Sequence, residues 1–272
     1  MNDYSTYALM DASLMVDAEC KPWTKSKRRP SWMVSIYERQ AWDVSPFIVD
    51  IEAAYLRNRI DAVMAMSNFL RMGVHVSFID TKLSAIDLAD HLRQFSYVVS
   101  EARGELTLRI ADGIAIRWIQ EVMSPEQWAA VHQPIRRWTA HSREGQLTAL
   151  PGPKDVKPVE APLMFSAHQI AALENSHEPD QLLSNLRAMR NDHRWAASPQ
   201  LEFELAEKVL KVWRESRQID SATLLIFARS VFDTKGSLLE LPTLKQILSQ
   251  DDPVLVRRSI ERATAAQNGR WS

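Results

Sequence analysis

Asp87 and His91 stand four residues apart in SAIDLADHLRQF, a spacing that sets a carboxylate and an imidazole on one face of a helix. Such a pair can orient the imidazole or share a metal ion. A metal centre needs further ligands, and the chain has no His-Glu-x-x-His motif, cysteine pair or clustered carboxylates. His132 and His141 straddle an expected helix-to-loop break, so ordinary hydrogen-bonding histidines and no metal are expected. The single cysteine, Cys20, lies beside Lys21 in AECKPW, where a cation can lower a thiol pKa, but no motif marks a nucleophile and its base. There is no Gly-x-Ser-x-Gly elbow, and the seven glycines form no phosphate-cradling loop. The expectation is a protein without catalytic residues or cofactors. The run KSKRR, Lys25 to Arg29, flanked by Trp23 and Trp32, pairs cations with aromatics as single-stranded nucleic-acid sites do. It is short and proline-bounded in a chain of net charge -1, which favours a solvated loop and no nucleic-acid partner.

The polar residues that remain are His91, Arg93, Arg109 and Asp112, in HLRQFSYVVSEARGELTLRIADG, residues 91 to 113. Side chains alternate along LTLRIAD, so Leu106, Leu108 and Ile110 share one face and Thr107 and Arg109 the other. Asp112 then falls where the next helix begins and can cap its free amides. Arg109 can pair with Asp112 or with Asp90, tying strand to helix. These residues either brace the fold or form part of a docking face, since arginine is favoured at interface anchors.

The elements that must position them follow from hydrophobic period. TYALMDAS, WMVSIYE and SPFIVDI read as strands, and EAAYLRNRIDAVMAMSNFL as one helix ending before Gly73. VHVSFID is a strand, Ser84 caps a helix through Phe95, YVVS and ELTLRI form a hairpin across EARG, and DGIAIRWIQEVM resumes helix. Ser124, Pro125 and Gln127 mark a capped helix start. The stretch LTALPGPKDVKPVEAP, with prolines at 151, 153, 158 and 162, reads as a linker or strap. Everything beyond it is helical in pattern, with Ser198-Pro199 and Asp252-Pro253 as starts. The expected architecture is an α+β or α/β lobe over 1–146 (a mixed sheet covered by helices), a linker over 147–164 and an all-α lobe over 165–272. Trp118, Trp128, Trp138, Trp195 and Trp213 are expected mostly in cores.

At 272 residues, 46% hydrophobic and 25% charged, the chain can bury a sizeable core. One cysteine and a start, MNDYSTYALMDAS, without a basic end and apolar run point to the cytoplasm. The best apolar helix, Ala53 to Met72, carries Arg57, Asn58, Arg59 and Asp61, so no membrane span is expected.

An ordered series of segments, YALMDAS (7–13), PFIVDIE (46–52), Met72-Gly73 before VHVSFID, DHLRQF (90–95) and LTLRIADG (106–113), resembles the adaptor/chaperone family of type VI secretion systems. The resemblance runs from about Tyr7 to Arg143. The family's strand-ending motif reads like Leu-Arg-Phe-Tyr-Asp-Pro-Arg; Arg109 and Asp112 hold the charged positions, while Ile110, Ala111 and Gly113 replace the aromatic pair and the proline, as in a divergent subgroup. The resemblance implies a cytoplasmic, non-enzymatic protein that binds an effector and helps mount it on the spike. An enzyme assembled from dispersed polar residues, or a scaffold unrelated to secretion, are the competing classes.

Overall fold

The computed structural model describes residues 3–11, 30–38, 41, 44–69, 76–189, 198–216 and 218–268. Cys20, Trp23, the basic run Lys25 to Arg29, Gly73 and Trp195 lie outside the described residues. The chain divides into two units, Met1–Leu173 and Glu174–Ser272.

The N-terminal unit is built on a six-stranded sheet of order β2-β3-β1-β4-β7-β8. Its strands are β1 (Ser5–Asp11), β2 (Met33–Ser35), β3 (Pro46–Asp50), β4 (Ser77–Thr81), β7 (Ile135–His141) and β8 (Leu147–Ala149). Every pairing in it is antiparallel. A second sheet holds β6 (Gly104–Thr107), β5 (Tyr97–Ser100) and β9 (Leu163–Phe165), with β9 parallel to β5. The expected sheet with helices is observed, and the mixed pairing resides in this smaller sheet.

Two-residue alternation explains the core. Tyr7 and Leu9 of β1 join Ile48, Ile79 and Trp138 in one apolar cluster. Ala8 and Met10 join Phe47, Val49 and Val76 in another, so β1 is buried on both faces. Leu88, Ala89 and Leu92 of α3 (Ala85–Gln94) cover the first face. Ala54, Val63 and Met66, from α1 (Ile51–Leu56) and α2 (Ile60–Phe69), cover the second.

The single helix expected from Glu52 to Leu70 is instead this pair, broken where Asn58 takes a left-handed φ of 52°. Asparagine tolerates that conformation better than most side-chain-bearing residues. Leu56 and Met64, on either side of the break, are exposed.

Ser124 opens α5 (Pro125–His132) with the complete reciprocal capping box expected there. The proline-rich stretch is tied to the same unit. Trp128 Nε1 donates to the Pro151 carbonyl, Gln127 donates to Met164, and β8 and β9 occupy the two ends of the expected linker. The division falls at Leu173/Glu174, inside α6 (Ala167–Ala188), rather than within 147–164.

The C-terminal unit is helical: the end of α6, then α7 (Pro199–Ser216), α8 (Ser221–Asp233), a 3₁₀ turn (Ser237–Glu240), α9 (Leu244–Leu248) and α10 (Pro253–Asn268). Its core gathers Leu186, Val209, Trp213, Phe227, Phe232 and Ile260. Helix α6 runs through Pro179 without a break. The Ser198 and Asp252 side chains accept from Leu201 and Val254 amides, as their cap positions require. No helix among the described residues is long and apolar enough to cross a membrane.

Candidate partner-binding site

Strand β6 ends at Thr107, two residues before Arg109, so Arg109 belongs to a turn and not to the strand tip. Leu108 still donates to the Ser96 carbonyl, and Asp112 N–H closes the turn onto the Arg109 carbonyl at 3.0 Å. This leaves Leu108, Ile110 and Ala111 buried in the core while Arg109 points to the rim. Asp112 Oδ1 accepts from Ile114 N at 3.0 Å and Ala115 N at 3.3 Å, capping the start of α4 (Ala115–Val122). The Arg109 guanidinium lies 3.4 Å from Asp112 and 3.6 Å from Asp11 at the end of β1. Both carboxylates are nearly buried, at 9% and 6% side-chain exposure. One cation therefore bridges two acids that would otherwise repel each other. Of the two partners expected for Arg109, Asp112 is realised, whereas Asp90 pairs with Arg93 at 2.6 Å.

Arg93 works on the same end of the sheet. Its Nε donates to the carbonyl of Ile36, one residue past β2, fixing α3 to that chain. The next amide, Tyr37 N–H, donates to Ser45 Oγ at 2.9 Å. Burial pushes the Tyr37 hydroxyl pKa up; the negative charge of Asp11 adds to that shift and Arg109 opposes it. Asp11, Tyr37, Arg93, Arg109 and Asp112 thus gather where β1 finishes and β3 begins.

His91 is not part of this group. It faces α5, with Nε2 2.8 Å from the Val131 carbonyl and its ring edge-on to Phe95 at 5.1 Å. A carbonyl only accepts, so Nε2 carries the proton. Burial pulls the imidazole pKa down, partly countered by that hydrogen bond. Asp87 instead accepts from the Ser84 hydroxyl at 2.6 Å, so the Asp87–His91 pair does not form. No group of three or more His, Cys, Asp or Glu placed to hold a metal occurs among the described residues.

The arrangement is a set of braces with two outward ends. Arg93 and Arg109 keep 37% and 43% of their side chains exposed, leaving guanidinium surface for an acidic partner. The neighbouring pair Ile110 and Ala111 is turned inward and offers no recognition surface. A second polar concavity, walled by His132, Arg136 and Arg137, was missed in the sequence, because β7 was not recognised as a strand.

These features define an α+β unit with a braced, partly cationic rim, followed by a helical unit. Residues 6–130 match a family model described as a domain of unknown function (DUF4123), a span running from β1 into α5. Comparison with curated proteins and with solved structures returns no match.

Proposed function

We propose that the protein is a cytoplasmic adaptor/chaperone that holds a type VI secretion effector and helps load it onto the spike, making and breaking no bond. The reading is carried by the match of residues 6–130 to the DUF4123 model, over the same ordered segments whose resemblance to the adaptor family is seen in the sequence. The rim supports it. Arg93 and Arg109 are held by their inner contacts and exposed at their outer ends, so ordering them for a partner costs little further entropy. Binding shields apolar effector surface before assembly and opposes its aggregation.

The test is expression of a type VI effector from the producing bacterium with and without this protein. The adaptor reading predicts that the effector moves from the pellet to a soluble complex that co-elutes with this chain. An effector equally soluble alone, with no co-elution, overturns it. An Arg93→Gln/Arg109→Gln variant that keeps the wild-type circular dichroism should bind at least tenfold more weakly; unchanged affinity removes the rim from the docking face.

A further inference from the structure

A cleft of about 440 Å³ opens in the N-terminal unit, with Tyr4, Asp80, His132, Arg136, Arg137 and Gly152 in its wall. Its volume is in the range of small-ligand pockets. Three features of the wall specify what it can hold.

The first is a β-bulge. Asp80 of β4 pairs with Arg137, but Thr81 pairs with Ile135, leaving Arg136 as the extra residue. Ile135 and Trp138 are both buried although three apart, and the two arginines between them are both exposed. Regular pleating would send adjacent side chains to opposite faces; the bulge re-aims one of them.

The second is uneven charge. Arg137 places Nε and a terminal nitrogen 2.9 Å from one Asp80 oxygen, and the other oxygen accepts from Thr6 at 2.8 Å. Arg136 makes no ion pair among the described residues. Its guanidinium lies 4.6 Å from the centre of the Tyr4 ring, which fixes the group while leaving N–H donors for a ligand. Lys82, over the same ring at 5.1 Å, faces Asp3 at 3.9 Å, both largely exposed.

The third is His132. It is 2% exposed, its ring lies 5.3 Å from Trp128, and neither ring nitrogen has a hydrogen-bond partner among the described residues. Burial lowers its pKa, so near neutral pH it is a neutral imidazole with one N–H to donate. A buried polar group left unbonded in a native fold needs an explanation, and a bound water, an ion or a ligand supplies one.

We infer that this cleft binds a singly charged carboxylate, with Arg136 as its ion-pair partner and His132 as a neutral donor behind it. With Arg137 already neutralised, one uncompensated guanidinium matches one negative charge. The Asp80 carboxylate in the wall disfavours a doubly charged phosphate. The carboxylate can come from an acidic side chain of a peptide or from a free small acid, and the assignment does not depend on the adaptor reading.

The experiment is an NMR titration of the full-length ¹⁵N-labelled protein, observing the His132 ring nitrogens and Arg136 Nε–H. The probes are acetyl-Gly-Glu-Gly-amide, its Gln counterpart, glutarate monomethyl ester and inorganic phosphate. Saturable shifts of both reporters are expected with the Glu peptide, at least tenfold weaker with the Gln peptide and with phosphate, and at least tenfold weaker for Arg136→Gln. Tighter binding of the peptide than of the monoester assigns a protein source, and equal binding a small acid. A Gln peptide or phosphate that binds as well as the Glu peptide, an unaffected Arg136→Gln variant, or no saturable shift overturns the proposal. Arg136 is exposed and makes no ion pair among the described residues, so its substitution is expected to leave the fold intact; Arg137→Gln, which frees Asp80, is a second variant expected to weaken binding.

Discussion

Replacing Arg109 with Gln removes the cation between Asp11 and Asp112 and leaves two nearly buried acids facing each other. Its two contacts, at 3.4 and 3.6 Å, are longer than charge-assisted hydrogen bonds, and its side chain is 43% exposed, so solvent screens much of the attraction. Two unit charges about 4 Å apart attract by about 1 kcal/mol in water and about 4 kcal/mol at the intermediate dielectric of a protein surface. Taking each contact near the screened end gives a loss of about 2 kcal/mol for the variant. Asp112→Ala loses one of those contacts, about 1 kcal/mol on the same reckoning, together with the cap on Ile114 and Ala115, typically worth about 1 kcal/mol, so it should also cost about 2 kcal/mol. Asp112→Asn keeps the capping oxygen and relieves the acid pair, so it should cost less than Asp112→Ala. Urea unfolding followed by circular dichroism measures all three, and a double-mutant cycle between positions 109 and 112 isolates their coupling. If Arg109→Gln lies within about 0.5 kcal/mol of wild type, the bracing role of Arg109 is refuted and its purpose is wholly at the surface.

Two other perturbations follow from buried polar groups. His91 and His132 both have folded pKa values lowered by burial, so unfolding takes up protons once the pH falls below the unfolded value of about 6.5. Their stabilisation is complete above that value and is lost as pH drops through the window below it, by up to about 1.4 kcal/mol per pH unit for each group. Urea midpoints at pH 7.5, 6.5 and 5.5 should show this decline, and His132→Gln should roughly halve its slope; a slope unchanged by the substitution contradicts the assignment. In the C-terminal unit, Glu202 is 2% exposed and pairs with Arg187 at 2.6 Å. Arg187→Ala should cost about 2 kcal/mol, below the usual range for breaking a buried pair because Arg187 is about one-third exposed; a loss below about 0.5 kcal/mol in the same urea assay would contradict it.

Local signals were legible in the sequence where a residue acts on its own neighbourhood. The Ser84 and Ser124 caps, the hairpin turn at Gly104 and the helix start at Asp112 each depend on atoms within a few residues. Arg109 with Asp112 was legible for the same reason, whereas its second acid, Asp11, lies in a distant strand and leaves no spacing signal. Strand β7 was hidden by its bulge: Ile135 and Trp138 are buried three apart, which breaks the two-residue period that marks a strand. Losing β7 also hid the cleft and Arg117, which clasps the β7–β8 hairpin through the His141 carbonyl and the Thr148 hydroxyl. The expected linker looked free because prolines interrupt its hydrophobic period, yet its carbonyls at Pro151 and Met164 accept from α5 side chains far along the chain.

Carriage of a secretion effector is the role proposed for this chain. It is tested most directly by purifying tagged protein at native level from the producing bacterium, under conditions where the secretion system is expressed, and identifying what co-purifies by mass spectrometry. A type VI effector or spike protein in a stable complex, weakened by Arg93→Gln/Arg109→Gln, is the expected result. A preparation with neither protein, or a metabolic enzyme complex in their place, contradicts it.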